Sequence, residues 1–87
     1  DIAILVSQEI LVASISSEIR AAGSNILKEV TLFDVYTGKG VENGLKSVAL
    51  GLILQGFSRT LTDEDVDSEV VKIIESLRQK FGATLRE

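Results

Sequence analysis

The chain contains no cysteine and no histidine. The first absence excludes disulfides and thiolate metal sites. The second removes the commonest general base and the commonest metal ligand. No apolar run approaches the roughly 18 residues needed to cross a bilayer. The opening DIAILV lacks the basic flank and length of a signal peptide, so a cytoplasmic setting is expected. Paired carboxylates, a nucleophile beside a base and a metal-ligand set are all missing too. Catalysis by these residues is therefore not expected.

What remains reads as globular, with 45% hydrophobic and 25% charged residues. The 87 residues suit one small domain, taken as 1–87. Net charge is -4, which argues mildly against nucleic acid. Its distribution matters more. Of the 13 acids, five lie in DEDVDSE, Asp63 to Glu69, and the remaining eight stand against nine bases. Any anion-binding surface must lie away from that acidic segment.

Hydrophobic periodicity divides the chain into six elements. IAILV is a short branched strand, with Ile2, Ile4 and Val6 on one face and Ala3 and Leu5 on the other. Val12, Ile15, Ile19 and Ala22 make a helical stripe, which Gly23 is expected to end in the left-handed conformation. ILKEVTLFDVY is a second strand whose phase flips. Up to Leu32 the even positions are the more apolar; from Phe33 the odd ones are. A β-bulge between Leu32 and Phe33 would do this, with Phe33 and Val35 in the core and Asp34 and Tyr36 outside. TGKGVENG is a glycine-punctuated turn.

KSVALGLILQ then alternates cleanly: Val48, Leu50, Leu52 and Leu54 inward, Ser47, Ala49, Gly51 and Ile53 outward. Thr62 with Asp65 suggests a capping box. Val66, Val70, Ile73, Ile74, Leu77 and Phe81 form the stripe of a second helix, and Gly82 stops it. ATLR is a short last strand. The order βαββαβ predicts an α+β, ferredoxin-like fold: a four-stranded antiparallel sheet with both helices on one face and the other face open.

The alternations place Ala3, Leu5, Asp34, Tyr36, Ser47, Ala49 and Gly51 on that open face. Small side chains let a flat ligand approach the backbone. Tyr36 offers a ring on which a base could stack. Asp34 can accept from an amino or imino group, and Ser47 can donate or accept. Lys39 and Lys46 sit in or beside the turn, where a phosphate could be met. Plainer readings stand beside these. A lone tyrosine on a sheet face often only packs, and small residues also suit a face covered by a partner domain. The glycines suit a turn, and GKG lacks the spacing of a P-loop. The acidic run suits a solvated helix start better than a metal site.

FDVYTGKGV, GLKSVALGL, SRTLTDEDV and FGATLR, in that order, resemble the C-terminal anticodon-binding domain of the bacterial phenylalanyl-tRNA synthetase β subunit. The resemblance covers essentially the whole chain. It implies a ferredoxin-like module cut from a longer chain that works in an αβ pair of pairs, joining phenylalanine to its tRNA with ATP and magnesium. Catalysis then belongs to the α subunit, and this module carries no cofactor. The partners it implies are the anticodon stem-loop of the tRNA for phenylalanine, the α subunit and the rest of the β subunit. Matching motif positions put the contacts to a guanine, the first anticodon base, on Asp34, Tyr36 and Ser47, with Ala3 a further candidate. Thr37 and Leu45 stand where family members often carry bases, so the isolated module is expected to bind weakly; as an RNA-binding module it is expected to run as a monomer. The competing classes are a ferredoxin-like small-ligand regulatory or dimerisation domain, and a purely structural interaction domain. Dimerisation in gel filtration would favour the regulatory one.

Overall fold

The computed structural model describes residues 2–56 and 60–86. Its elements are β1 (Ile2–Ser7), α1 (Val12–Ala22), β2 (Leu27–Tyr36), β3 (Leu45–Leu54), α2 (Asp63–Phe81) and β4 (Thr84–Leu85). They form one antiparallel sheet in the order β2-β3-β1-β4, the expected ferredoxin-like topology. Ser58 and Arg59 of SRTLTDEDV lie outside the described residues.

The core lies between the sheet and the helices. Ile4 and Val6 of β1 and Val48 and Leu50 of β3 meet Ile15 and Ile19 of α1 and Ile73 and Leu77 of α2. The two central strands thus supply the sheet's buried half, as their alternation required.

Both helix ends of α2 follow from local chemistry. The Thr62 hydroxyl accepts from the Asp65 backbone N–H at 3.1 Å, and the Asp65 carboxylate accepts from the Thr62 N–H at 2.9 Å. Gly82 ends the helix at φ 68°, left-handed. Gly23 does not: it ends α1 at φ -67° and ψ 152°, an extended conformation open to any residue. The reason for glycine there is packing. A Cβ would come within 2.3 Å of Leu27 Cδ2.

The stripe of α2 also departs from its expected phase. Glu69, Ile73 and Leu77 are its buried positions, while Val66, Val70, Ile74 and Phe81 are only partly covered. Glu69 is buried because it serves the α1–β2 connection. Its carboxylate accepts from the Ser24 N–H at 2.7 Å and the Ser24 hydroxyl at 2.9 Å, and Lys72 stands 3.3 Å away. Burial pushes the Glu69 carboxyl up, but these partners outweigh it and hold it below the usual carboxylate range.

The bulge lies where the phase flips. Leu32 pairs with Leu50 and Asp34 with Ala49, leaving Phe33 as the extra residue. A second irregularity lies between Leu27 and Glu29. Phe33 and Val35, however, are not in the core; they are 59% and 42% exposed. β2 is the edge strand, and the buried residues of the sheet's helix side lie mainly on its neighbours. The flip holds for Asp34, Val35 and Tyr36, whose partners fix their sides, and the expected burial of Phe33 and Val35 is not observed.

Candidate nucleic-acid interface

Register fixes which side chains share the face away from the helices, because directly opposed residues in an antiparallel pair lie on one side. Asp34 opposes Ala49, and Ala49 opposes Ala3. Tyr36 opposes Ser47, Ser47 opposes Leu5, and Leu5 opposes Thr84. Two rows therefore cross the sheet side by side. The bulge is what makes them possible. Without the extra residue at Phe33, Asp34 and Tyr36 would take the opposite parity and face the helices.

Tyr36 is 38% exposed, and its ring is tethered at the far end. The hydroxyl donates to the Lys39 carbonyl at 2.8 Å, so the turn after β2 folds back over the strand. Gly38, at φ 128°, permits this approach; a Cβ there would lie 3.3 Å from the Tyr36 hydroxyl. Lys39 thus contributes its backbone to the site, and its side chain is exposed at the rim. Ser47, only 5% exposed, lies beside Tyr36 on the central strand.

A further residue enters the site from the far edge. The Arg86 N–H donates to the Ala3 carbonyl at 2.7 Å, extending the β4 pairing by one residue. This puts the Arg86 side chain in the row of Ala3, Ala49 and Asp34. Two methyl groups leave room above them, and the guanidinium reaches across to lie 5.6 Å from the Tyr36 ring centroid. Sequence reasoning gave Arg86 only a strand role. The signal was available: it alternates with Leu85 and so shares a side with Thr84.

The structure thus brings Asp34, Tyr36, Ser47 and Ala3 together on one face, with the Lys39 backbone at its rim. Lys46 is not with them. It opposes Val6, on the helix side, and its ammonium donates to the Ile10 carbonyl. The reason is parity: Lys46 alternates with Ser47 and belongs with Val48.

The arrangement can hold a planar heterocycle. It offers one aromatic face, one exposed carboxylate acceptor, one hydroxyl, a floor of small side chains and one guanidinium. The acidic start of α2 lies on the other side of the sheet. There a groove of about 770 Å³ runs along α2, bordered by three acids, Glu64, Asp67 and Glu75, and one base, Lys72. Its charge is wrong for a polyanion.

Comparison with known proteins identifies the family. Residues 1–86 match the family described as ferredoxin-fold anticodon binding domain. The chain belongs to that family. Among curated relatives, the "Phenylalanine--tRNA ligase beta subunit" of Sodalis glossinidius (strain morsitans) is 46% identical over 87 residues. Those of Yersinia pestis and of Xanthomonas euvesicatoria pv. vesicatoria (strain 85-10) are 44% and 46% identical over 87 and 86 residues. Each match covers 99–100% of this chain but 11% of the relative's length. The chain thus corresponds to about a tenth of the proteins it matches. No helix among the described residues is long and apolar enough to cross a membrane.

Proposed function

We propose that this anticodon-binding domain is one unit of a phenylalanine–tRNA ligase β subunit and holds the anticodon stem-loop of the tRNA for phenylalanine on its open sheet face. The observation that carries the reading is the convergence of Asp34, Tyr36 and Ser47 around the bulge at Phe33. The first anticodon base, a guanine, stacks on Tyr36. Asp34 accepts from the imino and amino edge of that guanine, which adenine cannot match. Ser47 fixes the base over the small floor formed by Ala3 and Ala49. Arg86 meets the base from the side opposite Tyr36 or pairs with a neighbouring phosphate.

The domain binds and does not catalyse. ATP and magnesium would be held elsewhere in the larger enzyme, whose α subunit and remaining β subunit are the protein partners, in the cytoplasm. One arginine and one lysine at the site make the isolated domain a weak binder, and the other tRNA contacts of the assembled enzyme supply most of the affinity.

The test is an NMR titration with an anticodon stem-loop carrying the phenylalanine anticodon. Amide shifts at Asp34, Tyr36, Ser47 and Ala3 are expected. Shifts confined to α1 and α2 would move the RNA site off the open face and end this reading.

A further inference from the structure

Arg86 lies across the open face as well as at its border. Its backbone N–H is held by the Ala3 carbonyl at one edge of the sheet, and its guanidinium lies 5.6 Å from the Tyr36 centroid on the other. A Cβ on Gly40 would come within 3.7 Å of Arg86 Nη2, so the guanidinium also abuts the β2–β3 turn. The side chain therefore spans the sheet above the methyl groups of Ala3 and Ala49. It is half-buried there, although it stands just beyond the two-residue strand β4. Among the described residues no carboxylate pairs with it. Its charge rests instead against the face of Tyr36.

This position conflicts with a bound base. Stacked planes lie about 3.4 Å apart, so a base sandwiched between ring and guanidinium would need about 7 Å between them. At 5.6 Å the two are too close. A base over Ala3 and Ala49 would also claim the floor that the Arg86 side chain crosses.

We propose that Arg86 is a placeholder: it covers the Tyr36 ring while RNA is absent, and the incoming base displaces it. The proposal rests on the reading of Tyr36 as the stacking platform. An exposed cation–π contact favours the covered ring by only about two- to five-fold, so the placeholder weakens binding by no more than that and yields to a base. What it yields to is selective. The displaced guanidinium needs a new partner. A nucleotide chain supplies both the far face of the base and a phosphate. An uncharged aromatic ligand supplies no phosphate. The contact thus favours bases carried on a phosphate backbone over other flat molecules.

Isotope-edited NOE measurements on the 87-residue chain, which holds its core within itself, test this without a substitution. Tyr36 is the single tyrosine, so its ring signals are unambiguous. Without RNA, NOEs from the Arg86 side chain to the Tyr36 ring are expected. At saturation with the phenylalanine anticodon stem-loop they should be lost, and NOEs from the first anticodon guanine to the ring should replace them. Absence of Arg86–Tyr36 NOEs in the free chain overturns the proposal, whatever the RNA does. Their persistence beside guanine–Tyr36 NOEs also overturns it. That result would put base and guanidinium on different faces of the ring and leave the anticodon reading standing. A saturated complex without guanine–Tyr36 NOEs is a different failure: it removes the stacking platform, and the proposal falls with that reading.

Discussion

The guanidinium of Arg86 lies 5.6 Å from the centroid of the Tyr36 ring, although the two residues belong to opposite edges of the sheet. Both strands between them contribute only methyl groups to the row Arg86 crosses, which is what makes the contact possible. Tyr36 is the single tyrosine and there is no tryptophan, so intrinsic fluorescence reports this site alone. Removing a stacking aromatic typically costs ~1–3 kcal/mol of binding. Tyr36→Ala should weaken stem-loop binding by that order. Tyr36→Phe keeps the ring, loses only the hydrogen bond to Lys39, and should lose less. Quenching of Tyr36 emission on adding stem-loop to the wild type is the direct check; unchanged emission at saturation would rule out stacking.

Arg86→Ala should reduce both affinity and the slope of log K against log salt, as the loss of a phosphate or base-stacking cation requires. Asp34→Ala should act differently. It removes an acceptor, so it should narrow the preference for guanine over adenine as first anticodon base and leave the salt slope nearly unchanged. Binding isotherms for the two stem-loops at several salt concentrations separate these effects. Equal losses for both bases on Asp34→Ala would show that it does not read the base.

Lys46→Ala should leave RNA affinity almost unaltered. A phosphate role suggested itself from its place beside the turn, but its ammonium is engaged by the Ile10 carbonyl on the helix side. The expected effect is on folding, about 0.5–1.5 kcal/mol for one lost hydrogen bond. Urea denaturation beside a binding assay tells the two apart. A fall in affinity with unchanged stability would restore the phosphate role.

Glu69 should make stability sensitive to acid. Its folded carboxyl is held low by Ser24 and Lys72, against burial. A depressed carboxyl contributes stability above its unfolded value of about 4.3, and that contribution is lost as pH falls through the folded value. Glu18, lowered by the Ser76 hydroxyl and by Lys80, acts in the same direction. Glu69→Ala leaves the Ser24 N–H without its acceptor and should cost about 1–3 kcal/mol near neutral pH. The difference from wild type should shrink towards pH 3. A constant difference across that range would mean that the charge of Glu69 contributes nothing.

Leu77→Ala and Phe81→Ala should differ. Leu77 is fully buried and should cost about 2–5 kcal/mol. Phe81 is only partly covered, with the Lys80 ammonium 5.9 Å from its ring centroid. Its truncation should stay below the 3–5 kcal/mol typical of a fully buried ring. Thermal midpoints measured together would show the ranking, and a larger loss at Phe81 would contradict the burial seen here.

By itself the sequence determined what depends on neighbours along the chain. Alternation in IAILV and KSVALGLILQ assigned the faces of β1 and β3, since a strand's period of two is set by the backbone alone. The phase flip in TLFDVY located the bulge, and Thr62 with Asp65 located the start of α2, because both signals span only a few residues. The side of Lys46 was equally legible from its parity with Val48. Tertiary structure decided what depends on distant partners. Val35 faces the helix side and Phe33 sits at the bulge, yet both remain exposed because β2 is the sheet's edge, and edge position is a property of strand order. Glu69 read as part of a solvated acidic run and is buried because Ser24, 45 residues away in sequence, supplies its hydrogen bonds. Gly23 is required by the Leu27 side chain and not by its own dihedrals. Arg86 reaches Tyr36 only because two intervening strands present alanines beneath it. Local periodicity fixes the side to which a residue points; what it meets there depends on which elements the fold brings alongside.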